Sequence, residues 1–181
     1  MKQDIIEKIE IPEKVEIIIN ELVTVKGPKG EVKKKLFHPF VKINNENKEI
    51  VISSKKATKR EKKLVYSFKA HLINMIKGVL EPWVYKMKIC TGHFPMNVSM
   101  QDDKLVVKNF LGEKFPRTLK IKQGANVSVK DKDVVVESCD KELAGNVASD
   151  IELLLTIKGR DLRKFQDGIY IVSKAGKEVA K

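Results

Sequence analysis

Val127-Ser128-Val129-Lys130-Asp131-Lys132-Asp133-Val134-Val135-Val136 reads as a β-hairpin: two runs of alternating or β-branched residues around a polar, Asp-containing turn. Asp140 follows as an N-cap, and Leu143, Val147, Ile151, Leu154 and Leu155 then recur at helical spacing. The stretch is therefore a hairpin followed by one amphipathic helix over residues 140–157. A second hairpin precedes it, in which Val98-Ser99-Met100 and Leu105-Val106-Val107 flank Gln101-Asp102-Asp103, with Gly112 beyond.

Further back the same order stands once more. Val15 to Ile19 and Leu22 to Val25 flank Asn20-Glu21, Gly27-Pro28-Lys29-Gly30 forms a turn, and Val32 to Phe37 is a lysine-rich strand. Val41-Lys42-Ile43 and Ile50-Val51-Ile52 flank a polar turn over residues 44–48. Thr58 and Glu61 fit a capping box, and Leu64, Phe68, Leu72, Met75 and Ile76 mark a helix that Gly78 is expected to end. Pro12 and Pro95 are 83 residues apart, while Ile76-Lys77-Gly78 and Ile157-Lys158-Gly159 are 81 apart. A tandem duplication explains this register. The expected fold class is α+β: two tandem duplicated domains, 1–82 and 83–181, each a mostly antiparallel sheet covered by one α-helix. Leu80-Glu81-Pro82-Trp83 is too short and stiff for a flexible linker.

Composition narrows the function. The 181 residues carry 36 Lys+Arg against 24 Asp+Glu, a net charge of +12, which points to a polyanionic partner. The first residues alternate charges without an apolar signal core, and no apolar run is long enough to span a membrane. Cys90 and Cys139 form no CxxC, as expected of a reducing, intracellular setting. Cys90 and His93 form a lone CxxH; with His38, His71 and Cys139 available, it is weak support for zinc or thiol chemistry. Asp102, Asp103, Asp131 and Asp133 stand in hairpin turns, and Gly27-x-x-Gly30 lacks the Gly-Lys-Ser/Thr of a phosphate loop. No catalytic residue, metal site or cofactor is expected.

The charge is concentrated rather than spread. Residues 1–82 hold 18 basic and 11 acidic groups, and Lys55, Lys56, Lys59, Arg60, Lys62 and Lys63 against Glu61 supply +5 of that +7. They straddle a helix start, where the macrodipole disfavours cations, so Lys59, Arg60, Lys62 and Lys63 are candidate phosphate contacts. Residues 158–181 hold seven basic and three acidic groups. Lys158, Arg160, Arg163 and Lys164 crowd around Asp161, with Gly159 suited to the left-handed position just past a helix. Arg160 and Arg163 offer planar forks for phosphate, and Phe165 and Tyr170 can pack or stack. The strands lack the alternating aromatics of a single-strand reader, and the second helix is acidic, unlike a major-groove helix. Structured RNA, met by phosphate contact and shape, fits best. A free-standing RNA-processing or RNA-modifying enzyme is the alternative, and a membrane adaptor would need a basic amphipathic helix that neither helix supplies.

Six blocks carry a resemblance: Val25 to Glu31 (VKGPKGE), Met75 to Val79 (MIKGV), His93 to Met96 (HFPM), Asn109 to Lys114 (NFLGEK), Ile157 to Asp161 (IKGRD) and Phe165 to Tyr170 (FQDGIY). In this order they resemble the universal large-subunit ribosomal protein six family, number nine in older eukaryotic naming, in its archaeal and eukaryotic branch. The resemblance implies two duplicated α/β domains on large-subunit rRNA, in the cytoplasm, among other large-subunit proteins. It implies that the C-terminal domain lies beside the sarcin–ricin loop, near where translational GTPases dock. It places rRNA contact on Lys158, Arg160, Arg163, Lys164, Gly168 and Tyr170, with Gly112 and Lys114 nearby. The last residues are expected to form a basic tail of little order.

Overall fold

The computed structural model describes residues 3–46 and 48–179, and the chain divides into two compact units between Pro82 and Trp83. The first unit contains β1 (Gln3–Glu10), β2 (Glu16–Ile19), β3 (Val23–Gly27), β4 (Gly30–Lys34), β5 (Lys42–Glu46), β6 (Glu49–Ala57) and α1 (Lys59–Leu80). Its strands form two antiparallel three-stranded sheets, ordered β1-β6-β5 and β2-β3-β4. Alternation drives the layering. Val23 and Val25 of β3 and Ile50 and Ile52 of β6 are almost wholly buried, with half-buried Thr24 and Val51 between them, and Val65, Phe68, Leu72, Met75, Ile76 and Val79 of α1 bury one face of the helix.

Thr58 caps α1 as expected: its side chain accepts from the Arg60 amide, and the Glu61 carboxylate reaches back to the Thr58 amide at 2.7 Å. Gly78 does not end the helix. Helix α1 runs through it to Leu80, because the turn of the β3–β4 hairpin reaches the helix end, where the Lys29 amide donates to the Val79 carbonyl at 3.1 Å. Gly27 faces that contact, and a Cβ there would lie 2.7 Å from Val79 Cγ2. The polar turn expected over 44–48 is shorter than that. Asn44, Asn45 and Glu46 are strand residues, Glu46 pairs with Glu49, and the Asn45 amide group donates to the Ile17 carbonyl. Asn47 lies outside the described residues.

The second unit repeats the order and extends it: β7 (Trp83–Cys90), β8 (Asn97–Gln101), β9 (Lys104–Lys108), β10 (Arg117–Lys120), β11 (Ala125–Lys130), β12 (Asp133–Ser138), α2 (Lys141–Leu154), β13 (Gly168–Lys174) and β14 (Lys177–Glu178). The β10-β9-β8 sheet corresponds to β4-β3-β2, and β11-β12-β7 corresponds to β5-β6-β1. On the free side of β7, β13 pairs antiparallel and β14 follows it, giving a five-stranded sheet. Met87, Val134, Val136, Val147, Ile151 and Ile169 join strands and helix in one core. The segment expected as a loose tail is thus largely sheet, with Lys174 paired to Lys177 across the β13–β14 hairpin.

Candidate nucleic-acid interface

Helix α2 stops at Leu154, with Leu155 as its C-cap and no basic residue in its last turn. A cation comes instead from β10. Arg117 donates from Nη1 to the Leu154 carbonyl at 2.7 Å, satisfying an orphan acceptor at the negative end of the helix. The same guanidinium lies 4.4 Å from the Phe110 ring centroid and grips Glu113 through Nε and Nη2 at 2.9 and 2.6 Å. That grip holds the Glu113 carboxyl below the usual carboxylate range. Gly159 therefore does not cap α2. It adopts φ +70° within the connection that follows, five residues beyond the helix.

From Gly159 the chain makes a basic loop that its own acid organises. Asp161 accepts the Arg163 amide on its side chain, and its carbonyl accepts the amides of Lys164 and Phe165 at 3.1 and 2.9 Å. Its carboxylate also takes the Arg163 guanidinium in a fork, at 3.1 and 3.0 Å, and this pairing holds the Asp161 carboxyl below its usual range. Lys158, Arg160, Arg163 and Lys164 are all exposed. Arg160 lies over the Phe165 ring, 4.9 Å from guanidinium carbon to centroid, and Phe165 stacks on the His93 ring at 4.5 Å and 23°.

The stack rests on Asp167, whose side chain is 1% exposed. It accepts the amides of Gly92 and His93 at 2.6 and 3.0 Å, and its second oxygen lies 2.6 Å from His93 Nδ1. With Asp167 ionised, that nitrogen carries the proton and donates. Burial alone would raise the Asp167 pKa, but the His93 amide, the His93 ring and the Gly92 amide together hold it below the usual aspartate range. His93, read from sequence as half of a weak CxxH, is thus a positioning residue for the basic loop. The Phe165 to Tyr170 block contained Asp167, but only its partners 74 and 75 residues away reveal its role.

The structure gathers most of the expected residues of this unit. Lys164, Gln166 and Tyr170 line an open cleft of about 720 Å³ with Cys90, His93 and Glu152. Arg117 ties Glu113 to the Leu154 and Thr156 carbonyls, which brings the Gly112–Lys114 segment beside the start of the connection that carries the loop. Gly112 adopts φ +80° under the Phe94 ring, and Lys114 is exposed beyond it. Gly168 is buried, and a Cβ on it would meet the Tyr170 ring at 3.2 Å, so it admits the tyrosine by having no side chain. Lys59, Arg60, Lys62 and Lys63 belong to the first unit and are exposed on the first turns of α1, with Lys62 Nζ 5.9 Å from the Tyr66 ring centroid.

Among the described residues, no group of three His, Cys, Asp or Glu side chains is placed to hold a metal, and no helix is long and apolar enough to cross a membrane. Cys139 stands beside the start of α2, yet burial pushes its thiol up rather than toward thiolate.

The family described as ribosomal protein L6 matches residues 11–82 and 94–168, one copy on each unit. The large ribosomal subunit protein uL6 of Nanoarchaeum equitans is 42% identical over 95% of this chain and 94% of its own length. Those of Methanobrevibacter smithii and Methanococcus vannielii are 46% and 43% identical, each over more than nine-tenths of both chains. The repeat, the fold and these matches agree: the chain belongs to the ribosomal protein L6 family.

Proposed function

We propose that this chain is a structural constituent of the large ribosomal subunit and grips large-subunit rRNA with the segment 158–170 of its second unit, a loop that runs into the start of β13. The observation that carries the reading is the stack Arg160–Phe165–His93 on buried Asp167, which fixes a loop of four exposed cations without neutralising most of them. Folding does not need such charge in one place, whereas an RNA backbone does. Arg160 and Arg163 act as phosphate forks, Lys158 and Lys164 as point charges, and Lys114 extends the contact from the neighbouring segment. Lys59, Arg60, Lys62 and Lys63 form a further phosphate contact on the first unit. The named relatives belong to a structural class of protein, so the chain has no catalytic step to perform. By its resemblance to the family, the contacted rRNA is the region beside the sarcin–ricin loop, with other large-subunit proteins around it and translational GTPases docking close by.

The test is sedimentation of tagged protein expressed in its native host. Wild type is expected in the large-subunit fraction through a moderate salt wash, with the Arg160→Ala, Arg163→Ala variant released at lower salt. Wild-type protein remaining at the top of the gradient would contradict the assignment.

A further inference from the structure

The sequence Lys33 to Lys42 contains a turn that the preceding reading leaves unused. Leu36 and Val41 are buried at 9% and 7% exposure, and between them Phe37 and Phe40 stand 73% and 66% exposed. The turn is held in place: His38 and Val41 form a bridge, the Phe40 amide reaches His38 Nδ1 at 3.4 Å, and the His38 and Phe40 rings lie 5.8 Å apart at 53°. Two anchored ends thus present two phenyl rings to solvent. Leaving rings of this size out of a core forgoes much of the burial energy a phenylalanine can supply, and paired exposed rings mark a binding surface.

The surroundings specify the partner. Lys35 and Lys42 are exposed on either side and make no ion pair among the described residues, while Lys33 shares its charge with Glu31 at 2.9 Å. Lys59, Arg60 and Lys63 at the start of α1 add exposed positive charge to the same unit, again without ion pairs among the described residues. Rings flanked on both sides by exposed cations suit a ligand that carries both π-faces and dense negative charge. An apolar protein groove supplies only the first.

We propose that Phe37 and Phe40 form a stacking platform for unpaired bases of RNA, with Lys35 and Lys42 on the flanking phosphates. The site rests on the reading of RNA as the partner, but not on the segment 158–170. Stacking on aromatic rings tolerates any base, because every base has a π-face. The contact is therefore to single-stranded or bulged nucleotides rather than to a duplex.

Two measurements test this on the full chain. The first compares, by fluorescence anisotropy at low salt, a 12-nucleotide adenylate strand, the same strand with abasic sites, and a 12-base-pair RNA duplex. Phe37→Ala with Phe40→Ala is expected to lower affinity for the intact strand roughly tenfold per ring. It should change the abasic strand and the duplex less than twofold, and Phe→Trp replacements should restore binding. Because both rings are exposed, the alanine variant keeps its fold, which its unfolding midpoint verifies. Intact-strand affinity within twofold of wild type, or equal losses on strand and duplex, would overturn the proposal. Arg160→Ala with Arg163→Ala, run in parallel, tests the other site alone. The second measurement places a benzophenone amino acid at position 37 in assembled large subunits. Crosslinking to rRNA is expected; crosslinking to a protein would overturn the proposal.

Discussion

Asp167 shows how one residue turns a charged segment into a shaped one. A carboxylate with 1% exposure survives ionised only because three donors converge on it, two of them backbone amides of the Gly92–His93 turn. Removing it as Asp167→Ala takes away three hydrogen bonds to a charged group and frees the exposed Gly92–His93 turn to meet water, at a cost of about 1–3 kcal/mol. The pH dependence follows in sign. The folded-state pKa lies below the ordinary value of about 3.9, so the stabilisation is complete above that value and is lost as pH falls through the folded pKa. The expected result is a wild-type unit that loses its His93–Phe165 stack only below about pH 4. Asp167→Asn should lack that acid limb, followed by the His93 ring resonances in NMR. An acid limb unchanged in the asparagine variant would show that Asp167 is not the titrating group. Arg117 acts similarly across elements, because its fork holds Glu113 while one nitrogen ends α2.

At the scale of elements, the two helices differ more than their shared Ile-Lys-Gly motif suggests. In α1 the motif is helical, since the Lys29 amide caps the carbonyl of Val79 beyond it; in the second unit the helix has already ended when the motif arrives. Close approach of Gly27 to Val79 makes the α1 end testable. Gly27→Ala would place a methyl 2.7 Å from Val79 Cγ2 and 3.0 Å from its carbonyl oxygen, which forces the hairpin and helix apart. The expected cost is about 1–3 kcal/mol in urea unfolding, typical of overpacking. An unchanged midpoint would mean that the contact is not tight. Hairpins such as Val127–Val136 and the caps Thr58 and Asp140 were legible in sequence because their determinants are local. Strands β1, β7, β10 and β13 were not. Gln3–Glu10 reads as alternating charge, and only pairing with β6 from 49 onward makes it a strand. Likewise Arg160 and Lys164 could be picked from their crowding, whereas Arg117, His93 and Asp167 act through partners tens of residues away.

The whole molecule is one module used twice and then modified. Both units keep a β-sheet pair and a covering helix, and only the second adds β13 and β14 to the free edge of β7. That addition carries the chain back past His93 and sets the loop 158–167 between α2 and the new strand. Its charge is therefore mounted on a sheet rather than on a trailing end. Lys174 and Lys177 supply a matched control: they are an exposed like-charge pair across the hairpin, so their removal as alanines takes away two charges without loss of packing. The most direct measurement is the affinity of the full chain for a large-subunit rRNA fragment across a series of salt concentrations. Arg160→Ala with Arg163→Ala is expected to weaken binding whatever the base sequence and to flatten the logarithmic salt dependence by roughly one unit per lost contact. Lysine replacements should give an intermediate loss, because charge returns without the fork. The Lys174→Ala, Lys177→Ala pair should shift the curve far less. Equal losses from the two pairs would show that net charge alone holds the RNA and would contradict the assignment of the loop.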